Sequence, residues 1–276
     1  MAALFSVLSS ITFGVSDFIG GLAARRVATL RVVVWSEAIG LATILVAAPL
    51  FGPPDIRPVE VAWAAAAGVV GAMGFLFLFE GLAKGRMAVV SPTTAVMGAA
   101  LPVAVGLVSG ERPALLAWLG VGLALPAVWM VSAVGGGSTR RSARLELGVA
   151  AGIGFGLFFV FMAQTSEASG MWPLAVARAG ALGVMLPLAL GRRVDMRWPG
   201  AATGLVVAVG VGDIAANAFF LVAVRSGLMS LVAVLSSLYP IVTVLLARFV
   251  NHEPLRAAQA AGVVLSMLAV AMISAA

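Results

Sequence analysis

Read along the chain, apolar residues come in ten long runs separated by short polar breaks. The runs are roughly 2–23, 31–51, 59–82, 88–109, 114–134, 146–166, 171–190, 200–224, 229–249 and 255–275. Each is close to the ~20 residues a helix needs to cross a bilayer. Barrel strands would alternate polar and apolar positions over about ten residues. These runs are continuous and twice as long, so the pattern predicts an all-α membrane protein of ten transmembrane helices. The breaks carry residues that helices avoid in lipid: AARRVATLR, GPPDIRP, AKGRM, SGERP, GGGSTRRSAR, SEASG, GRRVDMRWP, RSG and NHEP. All are short, so sequential helices are expected to be antiparallel neighbours. The apolar run from Ala2 to Ala24 lacks a positive leading segment and is too long for a signal peptide, so it is expected to stay as a span.

The longest break, GGGSTRRSAR, divides the chain nearly in half. Shifting the chain by 142 residues aligns the halves without a gap. Val7, Ile11, Phe13 and Gly14 meet Val149, Ile153, Phe155 and Gly156. Gly85, Met87 and Val90 meet Gly227, Met229 and Val232, and Glu111 meets Glu253. The expected organisation is a first five-helix repeat over 1–134, a linker at 135–145 and a second repeat over 146–276. A duplicated unit with five crossings must insert its second copy upside down. The repeats are therefore expected to have inverted topology about a central cavity, a design found in secondary transporters.

Composition agrees with this pattern: 62% of the 276 residues are hydrophobic and 10% are charged. The net charge of +6 sits in short loops with no basic stripe on a helix, which argues against nucleic-acid binding. Cysteine is absent, which excludes a disulfide framework and thiol chemistry. Loops after odd-numbered spans carry Arg25, Arg26, Arg31, Lys84, Arg86, Arg140, Arg141, Arg144, Arg192, Arg193, Arg197, Arg248 and Arg256, against Arg57, Arg112 and Arg225 on the other side. Positive charge favours the cytoplasm, so both termini are expected outside it.

An ionised side chain at the bilayer centre costs at least about 2.5–3.5 kcal/mol on insertion scales, which makes each one a functional candidate. Five lie well inside spans: Asp17, Glu37, Glu80, Arg178 and Asp213. None has a charged counterpart at the 142-residue offset, so they mark a site rather than repeated framework. The stretch DIAAN places Asp213 and Asn217 on one helix face. They are expected either to line the cavity or to form a structural pair, with Asp213 neutralising Arg178 and Asn217 joining helices. Arg178 needs a partner or a cavity and is a candidate for a substrate carboxylate. Asp17 is a cavity candidate or snorkels to the interface. Trp35 is an interface anchor or a substrate platform. Glu80 is expected to pair with Lys84 four residues on.

Tyr239, the only tyrosine, precedes Pro240 in the ninth span. A proline there removes a hydrogen bond and kinks the helix, so Pro240, and Pro102 in the first half, are expected kinks or gates. Gly148, Gly152 and Gly156 recur every four residues and are expected to form a packing stripe. Glu111 and Glu253 are expected to cap or pair at the start of the next helix. His252, the only histidine, lies in a loop, and no metal site or cofactor is expected. No recognisable catalytic constellation is present, so no enzyme activity is expected.

Two stretches carry a family resemblance: FGVSDFIGGLAARR, and AVRSGLMSLVAVLSSLYPIVTVLLARFVNHEPLRAAQAAGVVL. With the paired five-helix repeats and their Glu loops, the chain resembles the drug/metabolite transporter superfamily in its EamA-like branch. The resemblance implies a multi-pass inner-membrane transporter, functional as a monomer, in a family that spans amino-acid, metabolite and drug exporters; the acid and base inside the spans suit export of a small polar or zwitterionic metabolite such as an amino acid. Protons are the expected coupling partner if an antiport operates, and simple uniport is the other option. A lipid or amphiphile flippase, a drug exporter and a structural membrane subunit are the alternatives. Pro240 lies thirteen residues before Glu253 as in the family pattern, whereas the matching place before Glu111 is Gly98 and Pro102 follows one turn later. The family is usually described with cytoplasmic termini, so the resemblance and the charge count point to opposite orientations.

Overall fold

A computed structural model describes residues 1–52, 55–84, 87–132, 142–251 and 257–274. Among these residues the chain is helical, with no strand. The helices are α1 (Ala2–Ala24), α2 (Thr29–Ala47), α3 (Pro58–Lys84), α4 (Met87–Val108), α5 (Leu115–Ser132), α6 (Ser142–Met162), α7 (Trp172–Gly191), α8 (Thr203–Ser226), α9 (Met229–Ser236), α10 (Tyr239–Asn251) and α11 (Ala257–Ser274). Five segments are long and apolar enough to cross a membrane: Ala2–Ala24, Thr29–Phe51, Pro58–Ala83, Trp172–Gly191 and Gly200–Ser226. Shorter apolar helical stretches occupy α4, α5, α6, α9–α10 and α11. Most of the linker, residues 135–141, lies outside the described residues, as do His252 and Glu253.

The expected ninth helix, 229–249, is two helices. α9 ends at Ser236 and α10 begins at Tyr239. Pro240 has no N–H to give the Ser236 carbonyl, and its ring crowds that carbonyl, so the ladder stops one turn ahead of it. Proline is tolerated in the first turn of the new helix, where an N–H would lack a partner anyway. Pro102 behaves differently: α4 runs through it as continuous helix.

Polarity is distributed inside out. Leu107, Leu119, Trp129, Val211 and Phe249 are exposed, while Ser9, Ser16, Thr94, Ser236 and Thr243 are buried. Lipid removes the hydrophobic drive to hide apolar side chains, so close packing and interhelical hydrogen bonds join the helices. Ser9 Oγ donates to the Ala216 carbonyl across α1 and α8 at 2.9 Å, and Thr243 Oγ1 to the Gly14 carbonyl across α10 and α1 at 3.1 Å. Gly14 has no room for a side chain, because a Cβ there would strike Val242 and the Tyr239 carbonyl. The expected glycine stripe packs on α4: Gly148 faces Val90 and Thr93, Gly152 faces Thr94 and Met97, and Gly156 faces Leu101.

The helix pairings exchange when the halves exchange. α1 packs on α8 as α6 packs on α3; α2 packs on α8 as α7 packs on α3; and α4 packs on α6 as α9 and α10 pack on α1. α2–α7, α5–α11 and α4–α9 are contacts between corresponding helices. Both halves therefore wall the space at the centre.

Candidate functional site

Arg178 on α7 sits between two carboxylates from other helices. Its Nη1 donates to Glu37 Oε2 of α2 at 2.8 Å, and its Nη2 donates to Asp213 Oδ2 of α8. Glu37, Arg178 and Asp213 are 2%, 6% and 3% exposed. Burial of this kind persists only where charges are paired and hydrogen-bonded. The expected Asp213–Arg178 pair is present, and Glu37 turns it into a triad.

A cavity adjoins the triad. Its wall includes Asp17, Glu37, Arg178, Asn217, Ser237 and Tyr239 among its polar groups, with glycines and phenylalanines completing it. Contributions come from α1, α2, α3, α4, α6, α7 and α8, the Ser237 turn and α10. The broken ninth span matters here, since it brings the Ser237 turn and the first residue of α10 to the wall.

Asp213 itself is turned away into an adjoining recess lined with Ser36, Glu37 and Gly210, drawn there by Arg178. Asn217 Nδ2 donates to the Asp213 carbonyl, 2.8 Å away within its own helix. Asn217 Oδ1 and the Tyr239 hydroxyl are buried without a partner among the described residues. Asp17 is 4% exposed, which places it in the cavity and not at the interface.

Other sequence candidates lie elsewhere. Trp35 does not line the cavity. Its Nε1 donates to the Met196 carbonyl at 3.2 Å and its ring meets Trp198 edge-on, pinning the α7–α8 loop. Glu80 Oε2 accepts from Thr29 Oγ1 at 3.1 Å, and the Lys84 side chain expected beside it is outside the described structure. Glu111 caps a helix in the other half of the chain and not the helix that follows it. Its two oxygens accept from the backbone N–H of Met229 and Ser230 at 2.8 and 3.0 Å, at the start of α9. An anion at that position satisfies orphan donors and complements the helix dipole.

Two polar knots, around the buried Glu60 and the half-buried Arg225, were not foreseen from the sequence, and both lie at the same end of the bundle as Glu111. Glu60 accepts from Arg57 N, Arg57 Nη2 and Ser166 N at 2.9, 2.8 and 2.8 Å. Arg225 donates to the Gly170 carbonyl at 2.8 Å and to Ser169 Oγ at 3.2 Å. The available signal was positional: each charge lies at a span end beside a short polar loop that can fold back onto it.

An apolar exterior around a buried polar centre is the pattern of a multi-pass membrane protein. The EamA-like transporter family model matches twice, over residues 1–133 and 145–275, so the chain belongs to that family. It is a membrane transporter of the drug/metabolite type. A solved crystal structure of a protein shares the fold, with a TM-score of 0.78, 18% identity and 98% of each chain covered. No curated protein sequence matches this chain.

Proposed function

We propose that the protein is a secondary transporter carrying a small polar metabolite out of the cell across the inner membrane by alternating access. In this reading ten spans form two inverted five-helix repeats, and the solute sits in the central cavity between them. The observation that carries it is the Glu37–Arg178–Asp213 triad, buried on three helices from both halves and adjoining that cavity. Intramembrane ions of this kind mark solute and proton pathways. The exchange of helix pairings between the halves supports rocking of one repeat against the other. The Glu111 cap and the Glu60 and Arg225 knots draw one end closed. By the charge count that end faces outward. A proton exchanging on a buried carboxyl provides the coupling, and one chain suffices.

A second reading, handling of an amphiphile, is favoured by a cleft at the opposite end. α3 and α7 touch closely at Gly68–Ala177 and Ala65–Gly180. Towards that end they line a wide cleft with Met73, Phe77 and Leu188 as its apolar wall and Arg25, Glu80 and Arg192 at its polar rim.

The test is solute uptake into proteoliposomes across a metabolite panel, wild type against Asp213→Asn. The proposal expects a solute that wild type moves and the variant does not, with both inserted and folded. Equal transport by both would reduce the triad to a structural joint.

A further inference from the structure

The charge of Arg178 is already more than matched inside the protein, by two carboxylates. Both of its terminal nitrogens are engaged, on Glu37 and on Asp213, and only Nε lacks a partner. A substrate carboxylate there would be a third anion on one guanidinium that already serves two, and like charges crowded together disfavour ionisation. The carboxylate of a zwitterion therefore lacks its expected partner.

Positive charge is what the centre lacks. Asp17 has no hydrogen-bond or ion-pair partner among the described residues, and it lies within electrostatic reach of Asp213 and Tyr239. Asp17, Glu37 and Asp213 thus share one guanidinium, and Arg178 is the only cation on the described cavity wall. The other elements packed on α1 bring no compensating charge to Asp17. α8 presents Asp213 and Asn217, α9 carries no ionisable residue, α10 presents Tyr239, α2 presents Glu37, and α3 presents glycines, Ala72 and Phe75. In a low-dielectric interior an unmatched carboxyl holds a proton or a bound cation. The acceptors needed by an ammonium are in place, since the Tyr239 hydroxyl oxygen and Asn217 Oδ1 are buried and unused. The remaining wall suits an apolar body: Phe13, Phe75, Phe155, Phe158 and Phe159 line it. Aromatic faces also attract a cation.

We propose that the cavity is a site for a monocationic organic amine with an apolar body. Its ammonium rests on Asp17, donates to Tyr239 Oη and Asn217 Oδ1, and displaces a proton that Asp17 carries when the cavity is empty. The exchange balances: a protonated carboxyl and an ammonium ion become a carboxylate–ammonium pair and a released proton. This rests on the transporter reading above and narrows its substrate class.

The test uses the full chain in weakly buffered detergent and three probes of one skeleton: phenethylamine, phenylalanine and 3-phenylpropionate. The expected result is that phenethylamine raises the unfolding temperature and releases protons, seen with an indicator dye, while the other two do neither. Asp17→Asn should abolish both effects. Tyr239→Phe, which keeps the ring, should weaken binding several-fold, and Asp17→Glu should retain proton release. Binding of the acid or amino acid without the amine overturns the inference, as does amine binding unchanged in Asp17→Asn. Absence of amine binding in a protein that transports another solute overturns this inference alone. Absence of binding by all three probes, with no transport of any panel solute, overturns the transporter reading as well.

Discussion

Arg178 Nη1 lies 2.8 Å from Glu37 Oε2, joining residues 141 positions apart in sequence and in opposite halves of the chain. The same guanidinium holds Asp213, so one side chain ties α2, α7 and α8 together beside the central cavity. Removing it leaves two buried carboxylates uncompensated. Breaking a buried pair by deleting one partner costs about 3–5 kcal/mol. Arg178→Ala should therefore lower the unfolding temperature in detergent sharply. Adding Glu37→Gln and Asp213→Asn to it should restore part of the loss, because neutral amides no longer demand a counter-charge.

The Glu111 cap predicts a local effect. Glu111→Ala deprives the Met229 and Ser230 amides of their acceptors. Loss of a cap costs about 0.5–2 kcal/mol. Hydrogen exchange at the start of α9 should accelerate while that of α2 and α7 stays unchanged. Uniform acceleration over the whole chain would show that Glu111 supports global stability and not this end alone.

The break ahead of Pro240 predicts a gain of helix. Pro240→Ala restores an N–H facing the Ser236 carbonyl. Residues 229–251 should then tend towards one continuous helix, moving Ser237 and Tyr239 off the cavity wall. Transport should fall about tenfold or more, the equivalent of about 1.4 kcal/mol on the barrier, without loss of folded protein. Unchanged transport would separate the break from function.

Coupling is tested at Asp17. If this carboxyl carries the exchanged proton, Asp17→Asn should remove the stimulation of solute flux by a pH gradient. A gradient response that survives the substitution would move the proton to Glu37 or Asp213.

Orientation has its own outcome. The charge count puts Arg112 outside the cell and Arg193 inside. In intact cells an impermeant thiol reagent should label Arg112→Cys directly, and Arg193→Cys only after permeabilisation. The reverse pattern would support cytoplasmic termini.

Much of this was legible because lipid imposes simple rules. Apolar run lengths located the helices, and the constant offset located the repeats. The cost of burying charge then singled out Asp17, Glu37, Arg178 and Asp213, and with them Glu80, which lies in the cleft at one end and not at the centre. What sequence could not specify was direction. Asp213 and Asn217 share a helix face, yet Arg178 pulls the carboxylate into a recess while Asn217 turns to its own backbone. Trp35 suited an interface anchor better than a substrate platform, but its partners Met196 and Trp198 lie more than 160 residues away and are not evident from the sequence. Glu111 shows the same limit, since capping α9 depends on how the halves pack. Pro240 and Pro102 both read as kinks or gates, but one begins a helix and the other lies within one.

If the cavity beside Arg178 is a solute pathway, it opens to each side of the membrane in turn. The chain has no native cysteine, so Ser237→Cys on the cavity wall gives a single reporter. Its labelling by a membrane-impermeant thiol reagent in proteoliposomes measures access directly. Labelling is expected at rates that differ between the two membrane faces, slowed by the transported solute. A cysteine at this position that no face can reach, with or without solute, would contradict it.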